Sequence, residues 1–571
     1  MTQLIPHETL LDKGKLVEYD GSKGNSMFVS HQWTGADHPD RSFEQFAVLQ
    51  GALKNLMAGD ANISGNISIE LYRGWQNEIS ASDIFSKQLF IWYDYFSCPQ
   101  LDHGASVHNR KLAIASIPAF VDKSQYFIIL CPHVRRTADN QLLTKKTWGS
   151  RAWCRLEKMA RELSTHADTC ISIEIHGPLH QVEAPAYGWM QAPVGTGNFS
   201  VESDRWLVAK VLQEMTRKKM HFYLARGDLQ NFRLLMNLQR VHLRNLPVQP
   251  IDAVVPGFIS NSQDPATYLL GSFMYQNGFQ STQDRTSEGW SPMCFAALDG
   301  RPLLLAALLE ERADVNDRIT EQSSTTFGSC PLLHICSFLS HNDAIQVLIS
   351  NRADVLARDG YGASALPWAA FSDNVEGIRV LIAAGCDPTQ ADMLGYYPFT
   401  LASSAGSVAS MKELLPYTPR PEITKSLNVA MLQGGGSAEV VSMLIGMEAD
   451  VNHQSSLPTL SVLGIMFGCL SLRHRFRESK LSTYAYHHDG LTPLMCSVIT
   501  SSFEATAVLL GVGARTDLRN SREKTALDLA LETYAPEYIV SALQDSGNSR
   551  KNLVLDVAEY VENHQLISES F

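Results

Sequence analysis

The second half of this 571-residue chain repeats itself, and that limits its fold more than any other feature. The segments "GWSPMCFAALDGRPLLLAALLEERADVN" from Gly289, "GYGASALPWAAFSDNVEGIRVLIAAGCDP" from Gly360, "LGYYPFTLASSAGSVASMKELL" from Leu394 and "DGLTPLMCSVITSSFEATAVLLGVGARTD" from Asp489 share one pattern. Gly362 and Gly395 stand 33 residues apart, as do Asp354 and Asp387. Each unit offers a turn, a short helix with small residues such as Ala369 and Ala370, and a longer helix carrying Leu381 and Ile382. One such unit cannot bury its apolar face, so the units must stack.

That period and the T-P-L-x-x-A-A…LL…GAD pattern resemble the ankyrin repeat. Weaker copies cover 328–356, where "PLLHICS" sets His334 at the repeat's usual histidine position, and 427–453, which ends "GMEADVN"; a terminal copy begins at Arg522. About seven units are expected over 286–547, interrupted at 454–488. The resemblance implies an all-α solenoid that binds a protein partner.

The first half has another rhythm. "SMFVSHQW" (26–33), "LFIWYDYF" (89–96), "QYFIILCP" (125–132) and "DTCISIEI" (168–175) are short apolar runs suited to buried strands. Helix-like stretches separate them, so a parallel sheet covered on both faces is expected, a flavodoxin-like α/β domain. Pro118 should kink the helix before the third strand. The polar stretch 60–86 reads as an insertion. Residues 203–246 look helical, with "ARGDLQNFRLLM" a possible capping repeat. The expected layout is an N-terminal extension 1–25, the α/β domain 26–225, a helical connector 226–285, the array 286–547 and a helical tail 548–571.

Within 26–225 the order of elements resembles a Toll/interleukin-1 receptor (TIR) domain of divergent plant-type or microbial character. The first strand ends in Ser30-His31-Gln32-Trp33, where plant-type members have Ser-Phe-Arg-Gly. The second strand carries Asp94, followed by a loop, "SCPQLDHGASVHNR". "AIASIPAFVDKSQYFIIL" is similar to the family's helix and third strand, and Trp153-Cys154-Arg155-Leu156-Glu157 matches its Trp-Cys-x-x-Glu. In NAD-cleaving members that glutamate is catalytic. The resemblance therefore implies that Glu157 is the catalytic residue, and that His31, Gln32, Trp33, Asp94, Arg151 and Trp153 bind substrate. NAD would be a substrate and not a cofactor, since no GxGxxG loop is present to cradle a pyrophosphate. The arginine after the first strand is missing here, and compact members have no counterpart of 60–86. The family also implies self-association of the domain.

The residues themselves leave Glu157 open. On a helical wheel Trp153, Leu156, Ala160 and Leu163 form the apolar stripe, and Glu157 lies about a quarter turn away. It can face a ligand, or it can pair with Arg161 one turn on. Cys154 and Cys98 lack a histidine at a recognisable spacing for thiol catalysis, and His103 and His108 lack further ligands for a metal. Net charge is -12, which disfavours nucleic acid and anionic membranes. The basic run "RHRFR" (473–477) reads as a solvated loop, and the apolar run Leu457–Leu472 as a buried segment too short to span a bilayer. With no secretory signal or CxxC pair, a cytoplasmic protein with reduced thiols is expected. The sequence thus points to an intracellular signalling protein, either one that cleaves NAD to nicotinamide and ADP-ribose or a non-catalytic adaptor acting through its repeats.

Overall fold

The computed structural model describes residues 2–571 apart from 74–78, 102, 138, 167–170, 185–189, 191, 322–326, 434–435, 545–546, 548, 555–556 and 558–571. Most of the tail expected at 548–571 lies outside the described residues. Eight strands occur among the described residues: β1 (Asn25–His31), β2 (Ile63–Ser64), β3 (Leu89–Trp92), β4 (Tyr126–Leu130), β5 (Val134–Arg135), β6 (Leu142–Leu143), β7 (Ile171–Gly177) and β8 (His180–Glu183). Six of them form one sheet in the order β2-β8-β7-β4-β1-β3. Its centre, β3-β1-β4-β7, is parallel throughout. The whole is mixed, because β8 turns back antiparallel to β7 and then carries β2. The fully parallel sheet expected from the sequence is corrected at that edge. β8 lies one tight turn from β7, and β2 is too short to leave a periodic signal.

Strand pleating sends alternate residues to opposite faces. Met27, Val29, Ile128 and Leu130 pack with Phe46, Leu49 and Leu56 of the helix Glu44–Ala58. Phe28, Phe127 and Ile129 pack on the other side with Val121, Leu156, Met159, Val208 and Leu212. There Phe28 stacks on Trp92 at 4.3 Å and on Phe127 at 5.7 Å, tying three strands together. The expected break near Pro118 is present. One helix stops at Ala115, and Pro118 lies in the first turn of the next, Ile117–Asp122.

Among the described residues, the second half is a stack of seven helix pairs, from Pro292–Asp299 with Pro302–Glu310 to Ala526–Glu532 with Glu537–Gln544. Their short and long helices share one continuous core. Turn chemistry recurs with the period. Gly362 has φ +74, and a Cβ there would stand 2.8 Å from Met393 of the next unit, so glycine is required twice over. His334, at the repeat's usual histidine position, bonds through Nε2 to the carbonyl of Ala363 in the next turn at 3.0 Å.

The interruption at 454–488 contains two further helices, Val462–His474 and Lys480–His487. They bulge out while Ala438–Gly446 stacks directly on Phe503–Gly511. Upstream, Leu229–His242 and Pro265–Asn277 stack on the first pair. Leu238, Val241, Phe273 and Phe279 cover Trp290 and Phe295 there. A fragment 286–547 is therefore expected to be less stable than 226–547 by about 3 kcal/mol, measured by urea denaturation. Equal stabilities would show that the upstream pair is dispensable.

Candidate functional site

The carboxyl ends of the parallel strands gather the charged residues that the sequence singled out. Thr144 caps the helix Lys145–Ser150 with a reciprocal bond to Thr147. Arg151 then takes an extended conformation, and the helix Ala152–Glu162 starts afresh. Gly197 makes this break possible, since a Cβ there would stand 2.9 Å from the Ala152 backbone. The two short helices so placed aim Trp148 and Glu157 at the same atom. Trp148 Nε1 donates to Ser30 Oγ at 2.9 Å, and Ser30 donates to Glu157 Oε2 at 2.5 Å. Glu157 thus turns toward the strand end through Ser30 instead of lying as a simple carboxylate on the helix surface.

Beside this relay stands a second one. His31 Nε2 meets Asp94 Oδ1 at 2.8 Å, and Trp33 Nε1 donates to Asp94 Oδ2 at 2.6 Å. The His31 ring stacks on Tyr93 with centroids 4.0 Å apart. Burial works against a charged His31, but the charge and hydrogen bond of Asp94, helped by Glu157, raise its pKa. Burial would raise Asp94, and the charge of His31 with bonds from His31 and Trp33 holds it below the usual carboxylate range. For Glu157 burial wins: although Ser30 donates to it and His31 and Arg151 lie near, its pKa is pushed up to about 7, with Asp94 adding repulsion.

The fold thus brings together Glu157, His31, Trp33 and Asp94, with Arg151 close enough to act on Glu157 by its charge. It turns two expected residues elsewhere. Gln32 is buried and braces the backbone, donating to Thr144 O at 3.0 Å while its own carbonyl accepts from Gln45 at 2.9 Å. Trp153 donates to Asp204 Oδ2 at 3.0 Å, toward the helix Asp204–Ala225. Sequence reasoning noted Ser30 only as a strand end and missed Trp148 and Tyr93, whose partners are remote in the chain. Cys98 is buried, with its thiol pushed up to about 12, and burial raises Cys154 as well, which removes both as ready nucleophiles. Replacing Ser30 with Ala removes a bond to the charged carboxylate, so the Glu157 pKa is expected to rise further above 7. Infrared titration of its carboxyl band measures this, and an unmoved band would mean that Ser30 does not hold the carboxylate.

A second charged cluster lies where the α/β domain meets the array. Lys145 Nζ reaches Glu174 Oε1 at 2.5 Å, and His176 Nε2 meets Oε2 at 3.1 Å. Burial disfavours charge on Glu174, yet Lys145 and His176 hold it down at about 2. Across the junction Lys480 donates to Ser501 Oγ at 2.6 Å, and Ser501 contacts His180 Nε2 at 2.9 Å. His180 Nδ1 in turn meets the carbonyl of Tyr534 at 3.1 Å. Lys146 pairs with Glu439 at 2.8 Å, and Ser479 donates to Glu70 of the 60–86 insertion at 2.8 Å. The insertion, the antiparallel strand β8 and the helix Lys145–Ser150 therefore all take part in docking the domain onto the repeats.

No family model matches the chain. Among curated proteins, tyrosine-protein kinase Shark of Drosophila melanogaster is 31% identical over 148 residues, 26% of this chain and 15% of its own length. E3 ubiquitin-protein ligase KEG of Arabidopsis thaliana is 22% identical over 263 residues, 46% of this chain and 15% of its own. E3 ubiquitin-protein ligase XBAT33 of the same plant is 28% identical over 163 residues, 28% of this chain and 30% of its own. The chain thus spans less than a third of the length of each. Among solved structures, the human ASB11 ankyrin repeat domain is 24% identical, with a TM-score of 0.33 over 45% of this chain and 97% of that one. With its 33-residue period, paired helices and recurrent turns, the second half has the architecture of ankyrin-type repeats. No helix among the described residues is long and apolar enough to cross a membrane.

Proposed function

We propose that the N-terminal domain is a TIR-like, flavodoxin-like α/β unit that cleaves NAD, and that the ankyrin array binds a protein which governs it. The observation that carries this reading is the Ser30–Glu157 pair beside the His31–Asp94 couple at the strand ends, where open α/β sheets take ligands. In the reaction, the bond between the nicotinamide nitrogen and ribose C1′ breaks, and its electron pair leaves with nicotinamide. Water adds at C1′ and loses a proton, giving ADP-ribose. Nicotinamide departs as a neutral molecule, so no strong acid is needed at the leaving group. Ionised Glu157 stabilises the oxocarbenium-like charge and orients a ribose hydroxyl or the water. Asp94 and the partly exposed Trp33 border the substrate, and Arg151 faces a phosphate.

The experiment is NAD consumption by the purified full chain at high protein concentration, followed by nicotinamide release. Release that depends on Glu157 supports the reading, and its absence under crowding sinks it. One observation favours a second reading, a non-catalytic adaptor. His31, Trp33 and Asp94 satisfy one another's polar atoms. In that case the strand-end cluster is a structural lock, and the protein works through its array and through self-association of the TIR-like domain.

A further inference from the structure

The apolar run at Leu457–Leu472, expected to be buried, is only half so. In the helix Val462–His474, Leu463, Phe467 and His474 face inward, with Phe467 edge-on to Tyr484 at 5.9 Å. The opposite face is bare: Val462 is 58% exposed, Ile465 56% and Leu472 60%, and Phe476 just beyond the helix 85%. Cys469 lies between them and is the exposed one of the described free cysteines. Positions 462, 465, 469, 472 and 476 follow the alternating three-and-four spacing of a helix–helix seam. At ~100° per residue they span about 80°, narrower than the broad apolar face of a helix lying in a membrane surface.

We propose that this seam pairs with the same helix of a second copy, antiparallel, about a two-fold axis at Cys469. The seam is close to palindromic around that residue. Val462 and Phe476 each lie seven positions away, and Ile465 and Leu472 four and three, so Val462 meets Phe476 of the other copy and Ile465 meets Leu472. Charge selects the same arrangement. Arg473 is tied to Glu70 and Ser479 within the chain, while Arg475 of each copy stands exposed beyond the C-terminal end. A parallel pair would set these arginines side by side; the antiparallel pair parts them by ~20 Å at 1.5 Å per residue. Gly468 flanks the seam, and a Cβ there would meet nothing within 4 Å, so a second helix can approach closely. Side chains of this size and exposure give on the order of 1,200 Å² buried over both copies, the lower end of a specific interface.

The test is sedimentation equilibrium of the full chain. A monomer–dimer equilibrium is expected, weakened at least ~10-fold by Ile465→Glu or by Leu472→Glu. Both positions are exposed, so these variants keep the wild-type melting curve. A short bis-maleimide should link two copies through Cys469, and Cys469→Ser should abolish the link. In that background, Ile465→Cys and Leu472→Cys copies should link to each other and not to themselves, which a parallel pair would reverse. A chain that stays monomeric at all concentrations overturns the proposal. So does a dimer indifferent to both glutamates, or a monomer that sediments with phosphatidylserine vesicles through this seam.

Discussion

Glu157→Gln is expected to lower NAD cleavage by on the order of 10²–10³ and, at the same time, to stabilise the fold at pH 8. Glutamine keeps the shape and still accepts the bond from Ser30, but it cannot ionise. The carboxyl's pKa in the fold, about 7, stands above its ordinary value of 4.5. A raised carboxylate favours folding below the lower value, and that advantage is lost as pH climbs from 4.5 through about 7. Above pH 7 the half-buried wild-type charge costs on the order of 2–3 kcal/mol, which the variant avoids. The stability difference should therefore appear at pH 8 and vanish at pH 4, as read by urea denaturation at both values. Turnover in the wild type should rise with pH through about 7 as Glu157 ionises. Unchanged NAD cleavage in the variant would remove Glu157 from the chemistry. Lost stability at pH 8 would make it a structural carboxylate.

Lys145→Met is expected to destabilise the protein by about 2–3 kcal/mol at pH 7, because it strips buried Glu174 of its strongest partner. Fully buried pairs cost more when broken; the lysine here is half exposed, so solvent screens part of the effect. Glu174 is held near 2 against an ordinary 4.5, so the pair's contribution is complete above 4.5 and is lost as pH falls through about 2. The gap between variant and wild type should close over that window in urea titrations at stepped pH. A gap constant from pH 7 to pH 2 would show that Lys145 matters by packing and not by charge. Lys145 opens the helix that carries Trp148, so the variant also tests whether the domain junction and the Ser30–Glu157 pair are mechanically linked.

The repeats are legible in the chain alone. Each unit's turn glycine, small-residue helix and leucine helix are local, and the 33-residue period leaves stacking as the one way to bury them. The central strands were legible for a related reason: a strand covered on both faces is a continuous apolar run, as in Phe28, Val29 and their neighbours. The antiparallel strand β8, packed against the array, and two-residue β2 escaped notice because no comparable run marks them. At the site, Glu157, His31 and Asp94 could be named from spacing and resemblance, but their partners could not. Ser30 and Glu157 are 127 positions apart, and Ser30 and Trp148 118 apart; no local pattern encodes such pairs.

Which carboxylate is held ionised and which is pushed toward protonation depends on the folded surroundings. Glu157 and Glu174 are the same residue type, yet one stands at about 7 and the other at about 2. Burial acts on both in the same sense. What separates them is a lysine and a histidine in one case, and in the other a serine hydroxyl beside a second carboxylate. The same holds for the inserted helix, whose apolar run announces hydrophobicity but not which face is covered. Charge and exposure depend on what is near in space, and nearness in space is set by the fold.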